Sequence, residues 1–181
     1  MASIKLVDIF SPNHIELASF FDVELRKDGP LERSIIEGLA RKCLESAIGT
    51  RKQGTVIVTA GHEGCSVYSR QREEFVWLPP LHEDSPKVVD PTGAGNAFLG
   101  GFAIGLRETA NDVLASCYGT VASSFALEQI GLPVLRPSQD TITNGVVTNS
   151  ETWNVATVRT RLEEYTSRLG INLPGLSIDS A

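Results

Sequence analysis

Residues 88–98, with the sequence VVDPTGAGNAF, combine residue types and a spacing that suit the binding of an anion. Gly93 and Gly95 lack a Cβ atom, so the backbone N–H groups around them can converge without obstruction. The residues before this turn predict a short strand, and those after it predict a helix of small residues. Unpaired N–H groups and the dipole at the start of a helix both favour negative charge. We therefore expect Gly93, Ala94 and Gly95 to form an anion-binding turn.

Two other segments place polar residues or glycines next to the end of a predicted strand. They are Asn13 and Glu16 after residues 4–10, and Thr59, Gly61 and Gly64 at the end of the run TVIVT. Taken alone, the first segment is typical of a helix-capping asparagine followed by a surface carboxylate. The second, taken alone, is an ordinary turn, so neither segment assigns a function by itself.

The elements that must position these residues are strands and helices in turn. Apolar periodicity and breaks at glycine and proline predict strands at residues 4–10, 55–59, 65–69, 74–78 and 87–89, and helices at residues 15–21, 31–44, 95–107, 111–129 and 158–169. This pattern is typical of an α/β layered domain with a largely parallel sheet. We expect one domain over residues 1–135, followed over residues 136–181 by a turn-rich segment, a C-terminal helix and a loose tail.

The bulk composition excludes several classes of protein. The formal net charge of −6 is not offset by any basic block, which argues against a nucleic-acid partner. No run approaches the roughly 18 apolar residues of a transmembrane helix, and Asp8 interrupts the first apolar run too early for a signal peptide. We therefore expect a cytoplasmic protein with no membrane partner. The three cysteines are widely spaced, which predicts reduced thiols at Cys43, Cys65 and Cys117.

The glycine turn resembles the second signature of the PfkB family of ribokinase-like carbohydrate kinases, Asp-Thr-x-Gly-Ala-Gly-Asp-x-Phe. The matching residues are Asp90, Thr92, Gly93, Ala94, Gly95 and Phe98. The resemblance covers residues 4–132. It implies a three-layer ribokinase-like α/β domain, with a nucleotide or anion site at the turn. It also implies Mg-ATP as the cofactor of a phosphotransferase.

The other two segments agree with the same family in order and spacing. The first resembles the Asn-x-x-Glu motif, which in the family helps to organise magnesium and phosphate. The second resembles the Thr-x-Gly-x-x-Gly turn, which lies beside the nucleotide. The resemblance therefore implies a metal role for Asn13 and Glu16 and a nucleotide-binding role for Thr59, Gly61 and Gly64.

Two departures from the family pattern bear on activity. Asn96 stands where the family has the aspartate that takes a proton from the attacking sugar hydroxyl, and an amide cannot accept that proton. Pro91 replaces the usual threonine and removes one backbone N–H. No residues match the first signature or the sugar-contacting positions. We therefore expect a domain without the N-terminal sugar-binding half and lid, in which sugar phosphorylation is weakened or lost.

Two alternatives stay open. In one, the domain is an active carbohydrate kinase when an N-terminal half completes it. In the other, the kinase fold has been recruited to non-phosphoryl chemistry or binds an apolar small molecule. Apolar side chains around an open cavity would favour the recruited fold, and the candidates are Phe75, Trp77, Leu78, Phe98 and Phe102. Three separate histidines, His14, His62 and His82, predict neither a metal site nor a triad.

Association is expected at the margin of the sheet. The family continues its central sheet with strands of the first half, so one strand here should lack its usual cover. The candidates are residues 4–10 and residues 55–59. We expect a homodimer or a partner chain, in addition to a small-molecule ligand.

Overall fold

The computed structural model of the chain contains both helices and strands. The structure describes residues 3–26, 28–46, 48–49, 54–72, 74–83, 85–137, 141–143, 146–148 and 151–173. The strands are β1 (Ile9–Phe10), β2 (Thr55–Thr59), β3 (Cys65–Ser69), β4 (Val76–Leu78), β5 (Leu135–Arg136), β6 (Thr141–Thr143), β7 (Val146–Thr148) and β8 (Thr152–Trp153). The helices are α1 (His14–Phe20), α2 (Arg33–Glu45), α3 (Ala94–Thr109), α4 (Asp112–Leu127) and α5 (Val158–Arg168). The α/β class is confirmed.

The chain divides into two compact units, Met1–Glu83 and Asp84–Ala181. The first unit contains a four-stranded sheet in the order β1-β2-β3-β4. Its helices α1 and α2 pack on each other and on β2. The predicted domain boundary at residue 135 stays a prediction.

The sheet of the first unit is mixed, whereas a largely parallel sheet was expected. β1 runs parallel to β2, with Ile9 opposite Thr55. β2 and β3 are antiparallel because only residues 60–64 join them, and so short a connection allows a hairpin but no crossover. β3 and β4 are also joined by a short turn and are antiparallel. The expectation of parallel strands is therefore wrong for two of the three pairings.

The core of the first unit lies between its helices and the sheet. The apolar residues of α2 recur at intervals of three and four positions, which gives the helix one apolar face. The buried residues of this cluster include Ile36, Leu39, Ala40, Cys43 and Leu44 of α2, Leu17 and Ala18 of α1, and Val56 and Val58 of β2. Full burial of each Leu, Ile or Val contributes ~1.5–3 kcal/mol. The cluster therefore fixes α1 and β2, which carry predicted site residues.

Two predicted strands differ from the structure. The strand predicted at residues 4–10 is confined to Ile9–Phe10, because Ser3–Leu6 forms a 3-10 turn. The strand predicted at residues 87–89 is not formed. The N–H groups of Val89 and Asp90 both donate to the carbonyl oxygen of Leu127, at 2.7 and 3.2 Å. The backbone that leads to the glycine turn is thus bonded to the end of α4 and not to a neighbouring strand.

In the second unit, α3 and α4 form a helical hairpin. Ala110 and Asn111 join them, and Ala110 adopts a left-handed conformation with φ of 50°. The side chain of Asn111 caps α4 by accepting hydrogen bonds from the N–H groups of Val113 and Leu114. So short a connection places the two helices side by side.

Three glycines let α3 and α4 approach closely. A Cβ atom on Gly101 would lie 2.6 Å from the Cβ atom of Ala122. One on Gly119 would lie 2.9 Å from the ring of Phe98, and one on Gly105 would also meet α4 too closely. Glycine in a helix interior costs roughly 1 kcal/mol relative to alanine. Close packing against α4 offsets this cost and explains why so glycine-rich a segment is helical.

A polar network attaches α5 to α4. Arg161 Nη1 lies 2.8 Å from Glu128 Oε1 and donates to Ser124 Oγ at 2.9 Å. The guanidinium group of Arg161 lies over the ring of Phe125, 3.8 Å from its centroid. The side chain of Asn154 donates to the second oxygen of Glu128 at 2.7 Å. Each member therefore has a partner, as a partly buried charge requires.

Two small ribbons lie in the segment predicted to be turn-rich. β5 pairs with β8, and β6 pairs with β7, both antiparallel. The C-terminal helix predicted at residues 158–169 is confirmed as α5. The predicted loose tail lies mostly outside the described residues. Among those described, no helix is long and apolar enough to cross a membrane.

Candidate functional site

The predicted anion turn lies at the N-terminus of α3, a helix of 16 residues. Gly93 caps the helix in a left-handed conformation with φ of 82°. Any other L-residue would adopt that conformation at a cost of ~1–2 kcal/mol, so glycine is favoured there. Just upstream, Asp90 Oδ1 accepts a hydrogen bond from the N–H of Thr92 at 2.9 Å. This local bond bends the chain into the turn.

Two backbone donors at this turn, the N–H groups of Gly95 and Asn96, have no acceptor within the described part of the chain. The N–H of Ala94, another predicted contributor, instead donates to the carbonyl oxygen of Pro91 at 3.2 Å. No described atom lies within 4 Å of the point where a Cβ atom would stand on Gly93 or Gly95. Unpaired donors, a helix dipole and open space are what an anion needs.

The Asp90 carboxylate places negative charge beside the turn. Hydrogen bonds from the backbone N–H and the side chain of Thr92 hold the pKa of Asp90 below its ordinary value. The carboxylate is therefore ionised at neutral pH. Because it repels a bare anion, a phosphate group accompanied by a cation suits this turn better than a phosphate alone.

Asn96 is the third residue of α3 and is exposed. Its side-chain amide has no hydrogen-bond partner among the residues that the structure describes. An amide donates and accepts hydrogen bonds but takes up no proton near neutral pH. Asn96 is therefore suited to bind a hydroxyl group next to the turn and unsuited to act as a general base.

In the first unit, Asn13 and Glu16 form a reciprocal capping box at the start of α1. Asn13 Oδ1 accepts a hydrogen bond from the N–H of Glu16, and Glu16 Oε2 accepts one from the N–H of Asn13, each at 2.8 Å. Both side chains therefore satisfy backbone donors of their own helix. A magnesium ion would compete with these bonds, and the metal role stays a prediction.

Thr59 lies beside this cap. Its N–H donates to the carbonyl oxygen of Pro12 at 3.2 Å, and it forms a parallel β-bridge with Asn13. The first unit thus brings together two of the three predicted segments, residues 13–16 and residues 59–64. The third segment, the turn at residues 93–95, belongs to the second unit.

The turn at residues 60–64 contains two glycines with different surroundings. Gly61 has φ of 57°, and no described atom lies within 4 Å of its Cβ position. Gly64 has φ of 84°, and a Cβ atom there would overlap the carbonyl oxygen of Leu78. The N–H groups of Glu63 and Gly64 donate to carbonyl oxygens of the turn at 3.1 and 3.0 Å. Packing therefore requires Gly64, whereas Gly61 faces open space.

Arg33 and Glu63 connect this turn to α2, a contact that the sequence analysis missed. Arg33 Nη2 lies 2.9 Å from Glu63 Oε2, and Arg33 Nε lies 3.3 Å from the same oxygen. The guanidinium group also lies over the ring of Trp77, 4.6 Å from its centroid. Arg33 and Glu63 are 30 positions apart, so no local spacing could have indicated the pair.

His14 and His62 line one cleft, although they lie in separate segments of the sequence. The cleft has a volume of about 870 Å³ and is bounded by α1, by residues 22–26 and by Gly29 and Leu31. Nδ1 of His14 is buried and has no partner in the described part of the chain. Among the described residues, no three histidine, cysteine or acidic side chains are grouped so that they could hold a metal ion.

The apolar side chains that were candidates for an open cavity are packed. Phe98 and Phe102 are 3% and 2% exposed, and Leu78 is 2% exposed. The ring of Phe75 stacks on that of Tyr68, with 3.9 Å between centroids. Phe75 and Trp77 are partly buried and pack against the core of the first unit. None of the five candidates lines the cleft described above, so they give no support to an apolar ligand.

None of the three cysteines forms a disulfide, and all three are buried. Burial raises the pKa of Cys43 to about 11 and that of Cys117 to about 12. These two thiols are therefore protonated at neutral pH and are poor nucleophiles.

Comparison with known proteins identifies the family. The model of the pfkB family carbohydrate kinases matches residues 1–137, and the chain therefore belongs to this family. An uncharacterized protein of Schizosaccharomyces pombe is 29% identical over 175 residues, which cover 90% of this chain and 45% of that protein. The inositol 3-kinase of Zea mays is 40% identical over 88 residues, which cover 49% of this chain and 22% of that enzyme.

A solved structure confirms the ribokinase-like fold. The ribokinase of Thermotoga maritima superposes with a TM-score of 0.57 at 23% identity, over 91% of this chain and 43% of the ribokinase. The chain thus spans less than half the length of each of these three relatives.

Proposed function

We propose that this chain binds the phosphate groups of Mg-ATP at the turn of residues 93–95, and that Asn96 weakens phosphoryl transfer to a hydroxyl group. The observation that carries the proposal is the pair of unpaired N–H groups, on Gly95 and Asn96, below open space at the start of α3. Membership of a carbohydrate kinase family supports a nucleotide as the ligand. The ionised Asp90 supports a metal-bound nucleotide over a bare phosphate.

The proposed acceptor is a small polyhydroxyl compound. The family description and the similarity to an inositol 3-kinase support this class. Because the chain spans less than half of the relatives it matches, the activity of a whole kinase is part of the proposal. We expect the highest rate of phosphoryl transfer from a chain that is completed by further residues that bind the acceptor.

The binding test compares Gly95→Ala with Gly100→Ala. Both glycines are exposed residues of α3 with no described atom near the Cβ position, so both variants should fold. A methyl group at position 95 fills the space above the unpaired donors, whereas one at position 100 does not. We expect Gly95→Ala to raise the Kd of Mg-ATP about tenfold or more, which corresponds to ~1.4 kcal/mol. Gly100→Ala should bind as the unaltered chain does.

Calorimetric titration with Mg-ATP, Mg-ADP and inorganic phosphate measures these affinities. A thermal-shift experiment gives a second readout, because ligand at 100 times Kd stabilises by ~2.7 kcal/mol. Failure of the unaltered chain to bind Mg-ATP would refute the proposal. Equal weakening in Gly95→Ala and Gly100→Ala would refute the turn as the binding site.

The catalytic test is Asn96→Asp. We expect the unaltered chain to transfer phosphate to inositol or ribose far below the ordinary kinase rate of ~1–100 s⁻¹. The reason is that loss of a general base costs ~10²–10⁴-fold in rate. Asn96→Asp restores a carboxylate at an exposed position and should raise the rate. The control is Asn111→Asp, which adds the same charge at a helix cap where aspartate serves equally well.

Two results would contradict the catalytic part. Turnover by the unaltered chain within the ordinary kinase range would show that Asn96 does not weaken transfer. An equal increase in Asn96→Asp and Asn111→Asp would show that added charge, and not a restored base, changes the rate.

The proposed magnesium role of Asn13 and Glu16 is tested by Glu16→Gln. Glutamine keeps an oxygen that accepts the N–H of Asn13, so the capping box and α1 should survive. The lost charge should make ATP binding require several-fold more magnesium. Glu164→Gln, an exposed change on α5, is the control. An unchanged magnesium requirement in Glu16→Gln would leave Glu16 with its capping role alone.

We also propose that a second copy of the chain covers β1. In the described sheet, β1 is an outer strand, and the neighbouring Leu6 and Val7 are 79% and 39% exposed. β2, the other candidate, is paired on both sides. Exposed strand edges favour pairing, most simply as a two-fold dimer. Light scattering at several concentrations tests this, and Val7→Lys should lower the mass; a strictly monomeric unaltered chain would contradict it.

A further inference from the structure

We propose that Arg33 and Glu63 are positioning residues that hold the turn of residues 60–64 in one shape and thereby raise nucleotide affinity. This inference rests on the proposed function and on the predicted nucleotide-binding role of Thr59, Gly61 and Gly64, because the shape of the turn affects affinity only if a bound nucleotide contacts it. Glu63 lies between the two glycines of the turn that match the family motif, and Arg33 lies outside the turn, on α2.

Arg33 holds the Glu63 carboxylate through one of its oxygens. Its Oε2 atom receives two donors of Arg33, at 2.9 and 3.3 Å. Its Oε1 atom lies 3.7 Å from Nε2 of His62. The side chain of Glu63 is mostly buried, with 19% exposure. Because the backbone N–H of Glu63 also bonds within the turn, the same residue is fixed at its main chain and at its side chain.

Arg33 is itself anchored to packed elements. It is the first residue of α2, whose apolar face lies in the core of the first unit. Its guanidinium group lies on the ring of Trp77 in β4, and the Trp77 ring N–H donates to Glu37 Oε1 at 2.8 Å. The fork shape of arginine suits a two-point contact with a carboxylate combined with stacking on an aromatic ring. The pair thus connects the turn to one helix and one strand.

The turn has a physical reason to need this anchor. Gly61 and Gly64 both have positive φ, at 57° and 84°, and a segment with two glycines has more accessible conformations than one without them. A ligand that binds one of those conformations loses affinity to the ordering of the turn. A side-chain ion pair that orders the turn beforehand removes part of that loss. Partly exposed ion pairs contribute little to global stability, so the effect should appear in affinity.

The test measures Mg-ATP affinity for Arg33→Gln, Glu63→Gln and the double variant. The controls are Arg159→Gln and Glu163→Gln, which break an ion pair of 3.0 Å on α5. We expect Arg33→Gln and Glu63→Gln each to raise the Kd of Mg-ATP about three- to tenfold. The double variant should raise Kd no further, because the two residues act as one unit. The control variants should leave Kd unchanged.

A second readout needs no nucleotide. In the ligand-free chain, amide hydrogen exchange at Glu63 and Gly64 should be faster in Arg33→Gln and Glu63→Gln, whereas exchange in the buried strand β2 should not change. Arg33→Lys retains the charge but not the fork, so it should restore only part of the affinity. It also serves if Arg33→Gln fails to fold.

The outcomes separate this inference from the function on which it rests. Absence of Mg-ATP binding by the unaltered chain overturns the proposed function. Binding by the unaltered chain that is unchanged in Arg33→Gln and Glu63→Gln overturns this inference alone. Faster exchange with unchanged Kd also overturns it, because the pair would then be only structural.

Discussion

Gly64 and Gly95, one in each glycine turn of this chain, have opposite surroundings. In the turn at residues 60–64, a Cβ atom on Gly64 would overlap the carbonyl oxygen of Leu78. In the turn at residues 93–95, neither glycine has a described atom near its Cβ position. A glycine that neighbouring atoms demand indicates packing inside the chain. Gly93 needs glycine for its positive φ of 82°, as Gly61 of the first turn does for its φ of 57°, and the open space at Gly95 leaves room for a ligand.

The backbone donors of the two turns differ in part. The N–H groups of Glu63 and Gly64 are satisfied within their own turn, whereas those of Gly95 and Asn96 have no acceptor in the described part of the chain. Both turns match family motifs, and in the described part of the chain the N–H groups of Gly61 and His62 also have no acceptor. Only the pair on Gly95 and Asn96, however, lies at the start of a helix of 16 residues, whose dipole favours negative charge. This comparison makes the second turn the stronger candidate for phosphate.

The largest effect that separates the turns is expected for Gly64→Ala. The positive φ costs ~1–2 kcal/mol, and overpacking against Leu78 adds ~1–3 kcal/mol to the loss of unfolding free energy. Gly61→Ala should lose only the conformational part, ~1–2 kcal/mol. Urea unfolding of both variants measures the difference. Equal losses would show that the contact of Gly64 with β4 is not what requires glycine.

A second, somewhat smaller contrast lies within α3. Gly101→Ala places a methyl group 2.6 Å from Ala122, so we expect the free energy of unfolding to fall by ~1–3 kcal/mol. Gly100→Ala adds a methyl group to an open helix surface and should raise it by up to ~1 kcal/mol. The two variants should therefore shift Tm in opposite directions. Shifts of the same sign would contradict the close approach of α3 and α4.

A third effect is expected at Gly93, where open space is combined with a positive φ of 82°. Gly93→Ala should lower the free energy of unfolding by ~1–2 kcal/mol through its backbone alone. It should also weaken Mg-ATP binding, because it disturbs the helix start. Gly170→Ala has the same type of conformation, with φ of 66° and open space, after the end of α5. It should cost similar stability with no change in Kd.

The smallest effect concerns pH. The Asp90 pKa is lowered in the folded chain, so the stability contributed by its bond to Thr92 is complete above the ordinary aspartate pKa. That contribution is lost as the pH falls through the lowered value. The amide resonance of Thr92 should follow this titration in NMR spectra. In Asp90→Asn the amide oxygen still accepts the bond from Thr92, but an amide takes up no proton, so the titration should disappear. A titration that persists in this variant would belong to another group.

The sequence was most informative where structure is local. The glycine turn and the start of α3 were predicted because the signal lies in adjacent residues. Contacts distant in sequence were not predicted: Val89 bonds to Leu127, and Arg33 bonds to Glu63. The antiparallel pairing of β2 and β3, by contrast, could have been predicted from their short connection.

The segment at residues 13–16 shows a different limit. The pattern of asparagine followed by glutamate three residues later is both a capping box and the family's metal-organising motif. The structure shows the capping bonds of Asn13 and Glu16. The capping role is therefore observed, whereas the metal role stays a prediction that the magnesium requirement of Glu16→Gln tests.

The parallel pairing of β1 with β2 has a consequence for the order of folding. Pairing of Ile9 with Thr55 closes a long loop that contains α1 and α2, whereas β2 pairs with β3 across a short turn. Hairpins form in roughly 1–10 μs, and pairings between distant segments form more slowly because loop closure costs entropy first. We therefore expect β1 to join last. Until it does, one edge of β2 stays open, and a newly made chain is most vulnerable to aggregation during that interval.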